Sequence, residues 1–183
     1  MGPAGRLREI AEQSWRPLGR QGLIGWALGF GLLVLVLLLD DDGFVVVLDH
    51  ANLAFHEAGH LFFGLFGATL QLYGGTLGQL VFPAAGMGAF WARRETLGFA
   101  ACWVWLFQNL RYVATYMADA RRQVLPRVGG GEHDWYLIFG RWDALEHDTT
   151  IAGITLALSW LGMLAACGWV LLRYARERAV VRG

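Results

Sequence analysis

The chain has 183 residues, of which 56% are hydrophobic and 16% charged, and its mean hydropathy is positive. A soluble domain carries roughly a quarter charged residues, so this composition points to an integral membrane protein. Its 15 basic residues are all arginine and balance 15 acidic ones, which leaves no net charge and no basic tail to argue for a nucleic-acid partner.

Arg6, Arg8, Arg16 and Arg20 precede an uncharged stretch, residues 22–39, long enough to cross a bilayer. Asp40, Asp41 and Asp42 follow it with no small-residue cleavage pattern, so it reads as an uncleaved anchor rather than a signal peptide. A second apolar stretch runs from Phe44 to about Phe66 and carries His56-Glu57-Ala58-Gly59-His60. In a helix the i, i+4 spacing sets both imidazoles on one face, one turn apart, where they can share a zinc ion. Glu57 lies about 100° round the axis, within reach of a bound water. Composition alone would produce such a motif in roughly half a per cent of chains like this one. Ionisable groups at bilayer depth are costly unless they face a bundle interior and find partners, so the cluster marks a functional site.

On a helical projection Asp49, Asn52, His56 and His60 form one polar strip, which predicts a face turned toward other helices. His50 falls off that strip and reads as an interfacial or hydrogen-bonded histidine. The segment 68–83 alternates apolar with small or polar residues around Gly74-Gly75, which suggests a hairpin or re-entrant element whose free strand edge could take an extended peptide. The alternative is a short glycine-interrupted span over residues 77–91.

Residues 96–118 form the next span, with Gln108, Tyr112, Thr115 and Asp119 in a second polar strip flanked by Arg111 and Tyr116. Asp119 ends that helix just before Arg121 and Arg122, as a metal-ligand candidate or as an ordinary partner for a nearby arginine. Pro126 and Gly129-Gly130-Gly131 then break the chain, and the stretch between spans is too short to build a core of its own, so no separate soluble domain is expected. Glu132-His133-Asp134-Trp135 enters an amphipathic stretch, where the adjacent His and Asp are further site candidates. His147 and Asp148 read as interface residues before a last span, 149–172, with Arg173, Arg176, Arg178 and Arg182 beyond it. The two arginine clusters favour placing both termini on the cytoplasmic side. Cys102 and Cys167 each sit in an apolar run and read as small core residues.

With these pieces together, the chain resembles the site-two protease family of intramembrane zinc metalloproteases, and within it a small bacterial branch. The matching residues are His56 to His60, Gly74-Gly75-Thr76-Leu77-Gly78-Gln79, the helix from Gln108-Asn109 to Tyr116-Met117-Ala118-Asp119-Ala120-Arg121, and His133-Asp134-Trp135. The resemblance implies a zinc ion held by the two motif histidines and an aspartate of a later helix, with the motif glutamate as general base. Those roles fall on His56, His60, Asp119 and Glu57. The family's Asn-x-x-Pro…Leu-Asp-Gly setting is replaced here by Ala118-Asp119-Ala120, and His133 is the alternative third ligand, since a neutral imidazole binds zinc as well as a carboxylate does. Asn109, Tyr116, Asp134 and Gly75 are candidates for the surrounding shell or for substrate contact.

The expectation is therefore a single all-α membrane domain over residues 1–183, a polytopic bundle of four to six spans. Its metal core covers about 44–135, its anchor 22–39 and its last span 149–172. The implied activity is a multi-pass zinc endopeptidase of the bacterial cytoplasmic membrane acting on membrane proteins or peptides. The alternative is an inactive scaffold or regulator that binds partner helices. Two topologies compete. A full crossing after the motif helix makes that helix parallel to the one ending at Asp119, whereas a re-entrant segment keeps both arginine clusters on one side.

Overall fold

A computed structural model describes residues 2–39, 44–126 and 131–182, so Asp40, Asp41, Asp42, Gly129 and Gly130 lie outside the described residues. Seven helices follow in order among those residues: α1 (Pro3–Glu12), α2 (Arg20–Leu39), α3 (Val46–Gly64), α4 (Ala68–Ala92), α5 (Thr96–Ala118), α6 (Asp134–Arg141) and α7 (Asp148–Arg182). A 3-10 turn at Leu145–His147 leads into α7, and no strand occurs among the described residues. The all-α expectation therefore holds. Two stretches, Arg20–Leu39 and Leu145–Ala179, are long and apolar enough to cross a membrane. α2 buries only Leu37 and exposes Leu28, Leu32, Leu35 and Leu38. A helix apolar all round with a bare surface suits lipid better than water.

The hairpin expected around Gly74-Gly75 does not form, and with it goes the free strand edge; the chain is helical throughout α4. The glycines serve packing instead of turning. A Cβ at Gly59 would drive into the Gly74 carbonyl, one at Gly74 would stand 2.7 Å from the Gly59 carbonyl, and one at Gly78 2.5 Å from that of Phe55. Small residues at such a seam let two backbones approach closely, which matters most where lipid offers no hydrophobic drive for helix association. Gly67, at φ +113°, makes the tight turn that folds α4 back along α3.

Pro83 lies inside α4 and cannot donate to the carbonyl four residues back, that of Gln79. Asn109 of α5 supplies the missing donor, its Nδ2 standing 2.7 Å from Gln79 O. Asn109 thus braces the proline-containing helix. On the other face of α5, Ser159 Oγ donates to Phe107 O at 2.6 Å and ties α7 alongside.

Two poles result. At one, Trp15 meets Arg94 and Arg173 through its ring face, Arg16 pairs with Glu95 at 2.9 Å, and Leu18 N donates to Glu177 at 2.7 Å. The two arginine-rich segments therefore meet. At the other pole the last turns of α5, the first turns of α4, the helix α6 and the start of α7 form a cluster built on Leu72, Val113, Met117, Trp135, Ile138, Phe139 and Ala152. α4 is continuous, so α3 and α5 run the same way, and both arginine-rich segments share a pole. The two are compatible because α3 does not turn back along α2. It starts partway along the bundle, where Val45 packs against the cluster of Leu37, Val104 and Met163, and continues in the direction of α2.

Candidate metal centre

The polar strip of α3 faces inward, as its spacing predicted, with Asp49, Asn52 and His56 all buried. Its upper half is a closed network. Asp49 Oδ1 accepts from Gln108 Nε2 at 2.8 Å and from Asn52 Nδ2 at 3.0 Å, Asp49 Oδ2 accepts from Val45 N at 2.7 Å, and Trp105 Nε1 donates to Asn52 Oδ1 at 2.9 Å. With its oxygens satisfied in this way, Asp49 has a structural role. His50 is exposed and bonded to Val46 O, in keeping with its place off the strip.

The lower half of the strip is different. His56 Nε2 and His60 Nε2 stand 3.1 Å apart, and Asp134 Oδ2 lies 2.9 Å from the first and 3.0 Å from the second. Among the described residues this is the group of His, Cys, Asp or Glu side chains close enough to share an ion. His60 Nδ1 lies 2.7 Å from Gln71 O. A carbonyl can only accept, so Nδ1 carries the hydrogen and Nε2 of the neutral ring presents a lone pair. Facing it are a carboxylate oxygen and a second imidazole nitrogen. The three atoms can share the single Nε2 hydrogen of a neutral His56, or a metal ion in its place.

The fit to a metal is good. A tetrahedral zinc holds N and O ligands at roughly 2.0–2.1 Å, which separates them by about 3.3 Å, close to the spacings here. Opposite the nitrogens is Gly75, where a Cβ would stand 2.5 Å from both His56 Nε2 and His60 Nε2. The absent side chain leaves the space an ion would take. Burial pushes the Asp134 carboxyl up, but a hydrogen shared with the facing imidazole nitrogens outweighs it and holds the group below the usual carboxylate range, the ionised form a metal would require. His56 Nδ1 is buried with no hydrogen-bond partner, and the edge of the Tyr116 ring, 5.9 Å away between centroids, flanks the imidazole.

The third position thus differs from the expectation. Asp119, predicted as ligand, has its oxygens turned to the backbone of the loop that follows, accepting from Val124 N at 3.0 Å and Leu125 N at 3.1 Å. It does not pair with Arg121 either, which makes a two-point contact with Asp148 instead. His133, the alternative, caps α6: its Nδ1 accepts from Tyr136 N at 3.2 Å, while Nε2 lies 3.5 Å from Asp119 Oδ2. Burial pushes the His133 pKa below the usual imidazole value despite the two nearby carboxylates, so the ring is neutral and able to accept. Asp134, the next residue, is the one that reaches the two histidines.

Tyr116 belongs to the surroundings of the site, as expected: its hydroxyl accepts from Asp134 N at 3.2 Å. Glu57 is half-buried and lines a cavity of about 700 Å³ together with His56, His60, Asp134, Arg111, Tyr112 and Glu132. Two ligands on one helix, a third at the head of another and a carboxylate on the shared cavity make a centre able to hold a metal ion and to handle a proton beside it.

No family model, no curated protein and no solved structure matches this chain, and the reading of the site rests on its own geometry.

Proposed function

We propose that this chain is an intramembrane zinc endopeptidase that hydrolyses peptide bonds within or next to the bilayer. The observation that carries the reading is the convergence of His56 Nε2, His60 Nε2 and Asp134 Oδ2 beside Gly75, which sets no side chain against the two nitrogens, with Glu57 on the adjoining cavity. Three protein ligands leave a fourth position open, the pattern of catalytic rather than structural zinc sites. A zinc ion bound there supplies Lewis acidity, lowering the pKa of a bound water toward about 7 and polarising the scissile carbonyl.

The chain's own residues do the rest. Glu57 accepts the proton of the attacking water and returns it to the leaving amine. The cavity wall of Leu53, Leu72 and Leu137 is apolar, which suits a hydrophobic segment. A membrane helix has its backbone groups satisfied internally, so a substrate must be unwound before its carbonyl can be attacked.

In this proposal the protein is multi-pass and sits in a bacterial cytoplasmic membrane, with α2 and α7 as full spans and α3, α4 and α5 forming the site between them. The arginine-rich pole, taken as cytoplasmic, puts the metal centre toward the opposite membrane surface.

Glu57→Gln separates enzyme from scaffold. It removes the base while leaving the three ligands, so zinc content should stay at one per chain while cleavage of a co-expressed membrane peptide falls by about 10²–10⁴-fold. Equal phenotypes for wild type and Glu57→Gln, with no peptide cut by either, would instead assign the fold to partner binding.

A further inference from the structure

α6 has only eight residues and delivers a ligand from its first position, so something must hold its head in place. The contacts that do so form a short chain of side chains. Asp119, which ends α5, is 5% exposed and pins the start of the following loop by accepting from Val124 N and Leu125 N. His133, which begins α6, is 1% exposed and accepts from Tyr136 N through Nδ1. With Nδ1 the acceptor, the neutral ring carries its hydrogen on Nε2. That nitrogen has no closer hydrogen-bond partner and faces Asp119 Oδ2 at 3.5 Å. The Tyr116 ring lies against His133 at 4.1 Å between centroids, and its hydroxyl takes the Asp134 amide.

We propose that Asp119 and His133 act as a positioning pair: they do not bind the ion but couple the end of α5 to the head of α6, and so set where the Asp134 carboxylate meets His56 and His60. The proposal rests on the metal reading above. The pair closes the loop between the two helices from both sides, and its reach is specific, because Asp134 follows directly on the capping residue. A shift of α6 by a few tenths of an ångström would move the Asp134 oxygen away from the two imidazole nitrogens. Partners that orient metal ligands in this way typically contribute 10–100-fold to metal affinity, whereas a lost ligand weakens binding far more.

The test uses the full chain in nanodiscs loaded with Co²⁺, which takes zinc's tetrahedral sites and whose visible absorption reports ligand geometry. Asp119→Asn removes the negative charge opposite His133. His133→Asn keeps a good helix cap but cannot span to Asp119. Both variants should bind one Co²⁺ per chain, 10–100-fold more weakly than wild type, with the same displaced absorption bands. The double variant should be no worse than either single one, because the two act as a unit. Wild-type affinity and spectrum in His133→Asn would overturn the proposal, as would loss of the ion from either folded variant comparable to that of Asp134→Ala, which would make the residue a ligand. Should Asp119→Asn fail to fold, as judged by circular dichroism, His133→Asn decides alone. Failure of the metal reading itself looks different: wild type would then bind no Co²⁺.

Discussion

Two buried groupings of histidine and aspartate lie within a few residues of one another, and they differ in what their lone pairs face. At Asp119 and His133 the carboxylate is taken up by two backbone amides and the imidazole by a third. At His56, His60 and Asp134, ring nitrogens and a carboxylate oxygen face each other at 2.9–3.1 Å. Proximity and residue type are the same in both. What separates a metal site from a capping device is whether acceptors are left over and whether they converge on space.

The comparison can be broken most directly by alanine substitution at each member. His56→Ala, His60→Ala and Asp134→Ala should each abolish stoichiometric zinc in purified protein, because two remaining ligands fall short of the three that hold a catalytic zinc. Asp119→Ala and His133→Ala should retain it, at reduced affinity. Retained zinc in Asp134→Ala together with loss in Asp119→Ala would reverse the two assignments.

The next effect comes from the space rather than the donors. Gly75→Ala adds a methyl group 2.5 Å from His56 Nε2 and His60 Nε2, against the position proposed for the zinc ion. Gly88→Ala, in the same helix, adds one with nothing within 4 Å. Both changes favour the helix by roughly 0.5–1 kcal/mol, since glycine is the costlier helix former. Zinc content should nonetheless fall steeply in Gly75→Ala and hold in Gly88→Ala, measured side by side by metal analysis. Equal zinc in both would mean that the ion does not sit between the glycine and the histidines.

The motif half of the site was legible because His56, Glu57 and His60 lie on one helix, where spacing alone fixes their geometry. The same holds for the buried strip of Asp49 and Asn52, and for His50 outside it. Asp134 was legible as a site candidate but ranked behind Asp119 and His133 for the third position, since it reaches the histidines through the packing of α6 from 74 and 78 residues away. Its signal was modest, a carboxylate at the head of an amphipathic segment after a glycine break. Asp119 looked better placed, at the end of an apolar helix, because sequence shows the carboxylate and not the loop amides that occupy it. The Gly74-Gly75 reading failed for a related reason. The same letters serve a turn and a helix seam, and the discriminating feature was Gly74 and Gly78 at i, i+4, which sets small residues on one helical face for close packing. Pro83 is accommodated inside α4 because the Gln79 carbonyl finds a donor in Asn109 of the next helix.

The smallest expected effect sharpens the comparison, because Tyr116 touches both groupings. Its ring lies against His133 and its hydroxyl takes the Asp134 amide, so Tyr116→Phe keeps the first contact and removes the second. The freed amide sits in the first turn of α6, where water or a neighbour can partly replace the phenol, and the stability cost should be no more than about 0.5–1.5 kcal/mol. Zinc affinity, measured by chelator competition, should fall by about tenfold, the lower end of what an indirect partner of a ligand contributes. An affinity loss matching that of Asp134→Ala would make the phenol part of the ligand set. An unchanged affinity with unchanged stability would mean that the side-chain contacts of Asp134 alone fix its position, and that the head of α6 is held entirely by His133.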